Sequence, residues 1–120
     1  MIKNKLMDRF SEFIEVLKKE YPQLNNVDLS ICWDASLNDE KPKKAGRFAV
    51  LKDETKGYEI RINPLTIDFA TIGVDTLPHE FGHLLQYLHN GKLNHKKRWK
   101  RYYKDIQKLF LEGRIKDYEN

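Results

Sequence analysis

The pattern His-Glu-x-x-His at residues 79–83 limits what this chain can fold into more than any other feature. On an α-helix, residues four apart lie one turn above each other, so His79 and His83 can point their imidazoles at one metal ion. Glu80 lies about 100° around the helix from His79, where its carboxylate can reach a metal-bound water without ligating the ion. Two imidazoles, an adjacent carboxylate and an open coordination position are typical of a catalytic zinc site of the metallopeptidase kind.

The residues around the pattern predict a helix that ends at Asn90-Gly91. Leu77, Phe81, Leu84 and Leu88 recur at i, i+4, i+7 and i+11, which is typical of an apolar stripe facing a core. Thr76 or Asp75 is a candidate N-cap, and Pro78 is tolerated because it falls in the first predicted turn. The two histidines lie off the centre of the apolar stripe, as expected for side chains that line a cleft.

The length and composition indicate one soluble domain spanning residues 1–120. A chain of 120 residues builds a modest core, and 40% hydrophobic with 33% charged residues is ordinary for a globular protein. No apolar run approaches a membrane span, and the first residues lack the apolar core of a signal peptide. Cys32 is the single cysteine, which excludes an internal disulfide and a four-cysteine zinc ribbon. We therefore expect a cytoplasmic protein with no membrane partner.

Hydrophobic periodicity predicts an α+β fold. The candidate elements are a helix over residues 4–20, strands over 27–33, 47–51 and 58–62, a turn or short helix over 65–74, the helix of the histidines, and a last helix from after His95 to about Leu111. A polar loop at 34–46 precedes the second strand, and residues 53–57 form the turn of a hairpin. The expected architecture is a small three-stranded, mainly antiparallel sheet packed against about three helices. The helix with the histidines is central, as in zincins.

Positive charge is concentrated in residues 92–104. That segment carries seven Lys and Arg and no acidic residue, whereas the whole chain has a net charge of +4, so the remainder has a net charge of −3. The ordinary interpretation is a solvated helix face. The alternative is a nucleic-acid-binding surface, because clustered cations beside Trp and Tyr suit phosphates and exposed bases. The candidate nucleic-acid-binding residues are Lys96, Lys97, Arg98, Lys100, Arg101 and Lys104.

A catalytic zinc site needs a third protein ligand, and the downstream candidates are His89, His95, Glu112 and Glu119. His89 faces about 120° away from His83 while the helix continues, so it cannot complete the site. His95 lies just beyond the predicted helix end, where a loop can fold back over the metal. Glu112 is the alternative, near the end of the last helix. We favour His95.

Four segments in a fixed order carry a resemblance to a known family. They are Ala45-Gly46-Arg47, Tyr58-Glu-Ile-Arg-Ile-Asn63, Asp75-Thr-Leu-x-His-Glu-x-x-His83 and His95-x-x-x-Trp99. Over roughly residues 5–112 the chain resembles the SprT-like metallopeptidase domain of bacterial SprT proteins and eukaryotic Spartan proteases. The resemblance implies that His79, His83 and His95 bind one Zn²⁺ and that Glu80 is the catalytic base. Lys96 stands where the family usually has glycine.

The resemblance also implies a zinc-dependent endopeptidase with protein substrates. Because DNA-dependent members of the family digest proteins crosslinked to DNA, it implies DNA as a partner, which suits the basic segment. One alternative is an ImmA/IrrE-like peptidase that cleaves repressors, which shares the helix motif but lacks the later His-x-x-x-aromatic pattern. The other is a nucleic-acid-binding module with a non-catalytic metal site.

The expected mechanism is general base catalysis at the zinc. Glu80 accepts the proton of the attacking water and later delivers it to the leaving amine. Tyr102, Tyr103 and Arg47 are candidate donors to the oxyanion or the substrate, and the sequence does not choose among them. We expect Trp99 to pack under His95, and an extended substrate to pair with an edge strand of the sheet.

Overall fold

Four strands and three α-helices occur in the described part of the chain, which comprises residues 2–4, 10–51, 57–65 and 71–113 of a computed structural model. In chain order they are β1 (Ile2–Asn4), α1 (Ser11–Glu20), β2 (Leu29–Trp33), β3 (Gly46–Val50), β4 (Tyr58–Ile62), α2 (Leu77–Asn90) and α3 (Lys97–Leu111). Short 3-10 helices lie at Pro22–Asn26 and Ala35–Asp39, and a π-helical turn at Ile72–Thr76 runs into α2. Within these residues, none of the helices is long and apolar enough to cross a membrane.

The sheet is mixed and contains the three expected strands and one more, β1, in the strand order β1-β2-β4-β3. The predicted α+β class, with about three helices and the histidine helix central, is confirmed. The mainly antiparallel pairing was wrong, because β1 pairs parallel with β2, β2 pairs parallel with β4, and only β3 and β4 are antiparallel. The β3–β4 hairpin was expected, but it places β4 between β2 and β3, so β4 runs in the same direction as β2. The alternation of apolar and polar residues along a strand shows which side chains face the core, but it does not determine the direction of the strand.

The N-terminal helix begins later than the sequence pattern predicts. The predicted start at residue 4 was wrong, because Asn4 belongs to β1 and α1 begins at Ser11. Residues 5–9 lie outside the described part of the chain, as do residues 52–56 of the predicted hairpin turn. Within α1, Phe13, Ile14 and Leu17 are buried, so the predicted apolar face is confirmed.

One hydrophobic core joins the helices to the sheet. Its fully buried members include Phe13 and Leu17 from α1, Leu29 and Ile31 from β2, Ile60 and Ile62 from β4, Phe81, Leu84 and Leu85 from α2, and Ile106 from α3. The rings of Phe13 and Phe81 lie 5.8 Å apart between centroids. Truncating such a side chain to alanine typically costs about 2–5 kcal/mol. This packing fixes the rotation of α2, and with it the direction in which the histidines point.

The start of α2 differs from the prediction. Neither Thr76 nor Asp75 is an N-cap, because Thr76 has helical dihedral angles (φ −66°, ψ −50°) and its side chain makes no capping hydrogen bond. The chain is already helical before α2, and the N–H of Leu77 bonds to the carbonyl of Ile72, five residues earlier. The helix of the histidines is therefore entered through a π-helical turn.

Pro78 provides a physical reason for this wider turn. Proline has no N–H to donate, and in a regular α-helix its ring crowds the carbonyl four residues earlier, which here belongs to Val74. A π-helical turn relieves that crowding. Gln107 of α3 replaces the missing donor, because its Nε2 donates a hydrogen bond to Val74 O at 2.8 Å.

The predicted C-terminal ends of α2 and α3 are confirmed. Gly91 follows α2 in a left-handed conformation (φ 69°), and its N–H bonds to Tyr87 O at 2.8 Å. Gly113 adopts φ 76° just beyond α3. A positive φ suits glycine, which has no Cβ to clash with the backbone.

Candidate metal centre

Three histidine side chains converge at the junction of α2, α3 and the loop between them. The Nε2 atom of His95 lies 3.2 Å from Nε2 of His83 and 3.4 Å from Nε2 of His79. One ligand atom from each residue lies within 4.8 Å of the others. His79 and His83 come from successive turns of α2, whereas His95 comes from the loop that follows Gly91.

These distances fit a shared metal ion. Two nitrogens bound to a tetrahedral zinc at about 2.0–2.1 Å are about 3.3–3.4 Å apart, close to the observed separations. Hydrogen bonds between the rings do not explain this arrangement well. Each neutral imidazole has one donor and one acceptor nitrogen, whereas here Nε2 of His95 lies close to the Nε2 atoms of both other histidines. Imidazole suits zinc, copper, iron and nickel, so the donor set indicates a transition metal. The three histidines can therefore hold a metal ion.

Burial keeps the two helix histidines neutral, which is the form that ligates a metal. Burial, together with the neighbouring His79 and His95, lowers the pKa of His83 to about 4, although the side chain of Gln86 opposes this shift. Burial also lowers the pKa of His79, with His95 acting in the same direction and Asp75 opposing it. The Nδ1 atom of His83 is buried and has no hydrogen-bond partner among the described residues.

Glu80 is a buried carboxyl group next to the histidines in α2. It is 5% exposed, and burial raises its pKa to about 8, although the positive charges of Lys44 and Arg47 partly oppose that rise. Without a metal ion, Glu80 is therefore largely protonated at pH 7. A carboxyl group with a raised pKa close to candidate ligands is typical of a catalytic acid or base.

Gly46 lets β3 approach Glu80 closely. A Cβ atom at position 46 would lie 2.8 Å from Thr76 Cγ2, 3.0 Å from Glu80 Oε2 and 3.2 Å from the carbonyl oxygen of Arg61. These distances leave no room for a side chain. The first residue of the edge strand β3 therefore lies directly against the carboxyl group of α2.

Trp99 of α3 supports all three histidines. Its ring centroid lies 4.5 Å from that of His95, 4.9 Å from that of His79 and 5.4 Å from that of His83. Its Nε1 donates a hydrogen bond to the backbone oxygen of His79 at 3.0 Å. Gly82 leaves space for the indole, since a Cβ there would lie 3.0 Å from Trp99 Nε1. The expected packing of Trp99 against His95 is present.

The three candidate oxyanion or substrate residues occupy different places. Tyr103 stacks on Trp99, lies 6.0 Å from the His79 ring and donates its hydroxyl to Asp75. Burial and this contact with Asp75 raise the pKa of Tyr103 to about 12.

Tyr102 packs edge-on against Tyr21, with ring centroids 5.8 Å apart, and belongs to the periphery of the core. Arg47 is exposed and forms an ion pair with Glu40. Of the three, Tyr103 is the residue that the fold brings beside the histidines.

The other candidate ligands are placed as follows. His89 is exposed near the end of α2 and is not part of the histidine cluster. Glu112 is exposed at the end of α3, where its carboxylate lies 4.0 Å from Lys108 Nζ. Glu119 lies outside the described residues. Among the candidates in the described part of the chain, His95 is the one that joins His79 and His83.

A sequence model of the SprT-like family matches residues 10–119, which is nearly the whole chain. The chain belongs to the SprT-like family. The resemblance drawn from the sequence is thus confirmed. This family is associated with a zinc-metallopeptidase-like fold, with which the cluster of three histidines is compatible. No curated protein and no solved structure matches the chain.

Sequence reasoning missed two polar residues beside the candidate metal centre of this SprT-like chain. Gln86 is 1% exposed, and its side chain exchanges two hydrogen bonds with Asn94, the residue before His95. A signal was available, since Gln86 follows His79 by seven residues and falls within about 20° of it on the helix. A glutamine on the helix face that carries the two histidines indicates a hydrogen-bonding role near the candidate site.

A basic depression of about 760 Å³ lies beside His95 in this SprT-like chain. Its charged lining residues are Lys92, Lys96, Lys97, Arg98 and Lys100, and no carboxylate among the described residues lines it. Arg101 and Lys104 are exposed further along α3. The aromatic residues of α3 are engaged elsewhere, because Trp99 is 8% exposed and Tyr103 stacks on it. The surface of the depression thus presents positively charged side chains, but the rings of Trp99 and Tyr103 are not available to stack on bases.

Proposed function

We propose that this protein is a zinc-dependent endopeptidase that hydrolyses protein substrates. The observation that supports this most is the convergence of the Nε2 atoms of His79, His83 and His95. The buried carboxyl group of Glu80 follows His79 directly in α2. The SprT-like family match supports the same function, and favours it over an ImmA/IrrE-like peptidase. A metal centre with an adjacent buried carboxyl group is suited to hydrolysis.

In this proposal the three histidines hold the ion and Glu80 handles protons. A bound zinc ion supplies Lewis acidity, lowering the pKa of water and polarising the scissile carbonyl. The charge of an ion held by the three neutral histidines would lower the raised pKa of Glu80 and so favour its ionised carboxylate. Glu80 then accepts a proton from the attacking water and delivers it to the nitrogen of the leaving amine.

Tyr103 is the candidate oxyanion donor that lies nearest the histidines. Its ring is 6.0 Å from that of His79, but its hydroxyl is donated to Asp75. To donate to a substrate oxyanion, the hydroxyl must turn away from Asp75. Arg47 is the candidate for contact with the substrate, because it is exposed on β3 next to Gly46.

The outer edge of β3 is the proposed place for an extended substrate. β3 is an edge strand, and Gly46 brings its first residue against Glu80. A peptide added to a strand edge gains backbone hydrogen bonds whatever its sequence. A peptide held along β3 passes close to the carboxyl group that serves as the base.

The direct test is Glu80→Gln in protein purified without a metal-affinity tag. We expect the variant to bind metal as the wild type does and to lose hydrolysis of an unfolded protein substrate, because glutamine cannot accept the proton. Glu112→Gln is the matched control, since Glu112 is an exposed carboxylate just beyond α3, and it should keep both properties. Wild-type protein that holds metal but cleaves no protein, with or without DNA, would contradict the proposal.

A second proposal is that the substrates are associated with nucleic acid, including proteins crosslinked to DNA. The observation that favours it is the basic depression, with its five Lys and Arg side chains beside His95. Because Trp99 and Tyr103 pack against the histidines, the surface suits a phosphate backbone better than unstacked bases. If hydrolysis is absent and nucleic-acid binding remains, the protein is a nucleic-acid-binding module with a non-catalytic metal site.

A further inference from the structure

Gln86 and Asn94 form a two-point contact between α2 and the loop that carries His95. The Nε2 of Gln86 donates a hydrogen bond to Asn94 Oδ1 at 2.8 Å, and the backbone N–H of Asn94 donates to Gln86 Oε1 at 3.3 Å. Both ends of the Gln86 amide are therefore used. With Gln86 1% exposed, this amide is a buried polar group whose partners are supplied by the loop.

The same contact shapes the backbone on either side of His95. Asn94 Oδ1 also accepts a hydrogen bond from the N–H of Lys96 at 3.0 Å. Asn94 Oδ1 therefore accepts hydrogen bonds from Gln86 Nε2 and from the backbone N–H of Lys96, and so it connects α2 to the turn that contains His95. An Asn side chain that accepts from the backbone two residues later is a turn element, and here it is anchored to a helix.

We propose that Gln86 and Asn94 are positioning residues that set His95 as the third ligand of the metal centre. This inference rests on the metal centre of the proposed function and adds the groups that determine its geometry. His95 itself is exposed and belongs to a loop, whereas His79 and His83 are fixed by α2. Gln86 lies on the same face of α2 as these two histidines, and its hydrogen bonds to Asn94 hold the loop against that face.

The pair acts by ordering the loop before the ion arrives. A loop that samples many conformations must lose that freedom when His95 ligates, and this loss weakens binding. A loop already held by two hydrogen bonds loses less. Replacing Gln86 removes both hydrogen bonds, whereas replacing Asn94 by alanine removes the acceptor of Gln86 Nε2 and keeps the backbone donor to Gln86 Oε1.

The roles of the two Asn94 atoms make the proposal specific. Asn94 uses its side-chain oxygen as an acceptor and its backbone N–H as a donor, and neither contact requires its side-chain nitrogen. Aspartate supplies the same acceptor, so Asn94→Asp should preserve the contact. Alanine removes the acceptor, so Asn94→Ala should not.

The experiment measures metal affinity by competition with a chelator, using zinc and the full chain. Gln86→Leu and Asn94→Ala should each weaken zinc binding roughly 10- to 100-fold, the usual effect of losing a group that orients a ligand. Asn94→Asp should bind at least as tightly as wild type. Asn90→Ala is the matched control, because Asn90 accepts from Lys92 N in the same way (3.0 Å) but lies outside the contact with Gln86.

A second measurement uses the metal-free protein and does not depend on zinc. Amide hydrogen exchange at Asn94 should be slowed in wild type and in Asn90→Ala, and should become fast in Gln86→Leu. Asn94→Ala, at a half-buried loop position, keeps the test valid if Gln86→Leu does not fold.

The outcomes separate this inference from the proposed peptidase. Weakened zinc binding in Gln86→Leu and Asn94→Ala, with loss of amide protection in Gln86→Leu, supports the inference even if the protein cleaves nothing. Wild-type affinity in both variants overturns it, whether or not peptidase activity is found. An equal loss in Asn90→Ala also overturns it, because the effect would then belong to the loop in general.

Discussion

The side-chain amide of Gln107 in α3 donates a hydrogen bond to the carbonyl oxygen of Val74, four residues before Pro78, at 2.8 Å. That carbonyl would bond to the N–H of residue 78 in a regular helix, but proline has none. The same Gln107 nitrogen lies 3.0 Å from the hydroxyl of Tyr103, which is itself donated to Asp75. Through these contacts α3 holds the π-helical turn from which the two helix histidines follow.

We predict that Gln107→Leu destabilises the protein by about 1–3 kcal/mol, because it leaves the Val74 carbonyl without its donor. Chemical denaturation of the metal-free protein measures this free energy of unfolding. Lys104→Ala, a substitution at an exposed position of the same helix, should change it by less than about 0.5 kcal/mol. Equal stabilities for Gln107→Leu and wild type would show that α3 does not support the turn.

The close approach of β3 to α2 predicts the effect of a single methyl group. Gly46→Ala should cost about 1–3 kcal/mol, because its Cβ would overlap Thr76 Cγ2 and Glu80 Oε2. We also expect it to displace the Glu80 carboxyl group and so lower the proposed peptidase activity, while the histidines still bind metal. Comparing kcat/KM with metal affinity in one preparation checks this. A variant with wild-type stability and activity would mean that the approach is not tight.

Glu80 predicts a pH dependence of stability in the metal-free protein. Burial raises its pKa to about 8 from the ordinary 4.5, so the folded state holds a proton that the unfolded state releases between these values. This contribution is fully present below about pH 4.5 and is lost as pH rises towards about 8.

The corresponding experiment is chemical denaturation of wild type and Glu80→Gln at about pH 5 and pH 8, with a chelator present. Glutamine does not titrate, so the variant should gain stability relative to wild type by a few kcal/mol between the two pH values. The comparison removes contributions common to both proteins, including those of His79 and His83. A difference that stays constant with pH would contradict a buried, protonated Glu80.

The C-terminal ends of α2 and α3 and the candidate metal ligands on α2 were predictable because they depend on local sequence. The pattern His79-x-x-x-His83 specifies one helix face, and Gly91 and Gly113 mark helix ends through backbone freedom at positive φ. The third ligand was harder, since spacing left Glu112 open. His95 was chosen because a loop after the helix end can fold back, and the resemblance to the SprT-like domain gave the same residue.

The features that were missed depend on contacts between distant parts of the chain. A period of two in β2 and β4 cannot reveal that they lie side by side and parallel. Asp75 and Thr76 have the composition of an N-cap, and only the position of Gln107 on α3 shows how a helix can continue through Pro78. Gln86 acquires its partner when the loop folds over α2.

The basic depression predicts salt-dependent binding to nucleic acid. The double charge reversal Lys97→Glu and Arg101→Glu should greatly weaken binding to a DNA duplex measured by fluorescence anisotropy. It should also flatten the dependence of the binding constant on salt, because fewer counterions are released. Lys18→Glu together with Lys19→Glu on α1 is a control with the same change in net charge. Binding that is independent of salt, or equal loss in the control, would argue against this surface.

Equilibrium zinc binding to tag-free wild type and to His95→Ala measures whether His79, His83 and His95 together hold one metal ion. We expect one zinc per wild-type chain and, in His95→Ala, a loss of affinity larger than that of Gln86→Leu. His89→Ala removes an exposed histidine from α2 outside the cluster and should bind zinc as the wild type does. Wild-type protein that binds no zinc, or unchanged stoichiometry and affinity in His95→Ala, would show that the three histidines do not form one metal site.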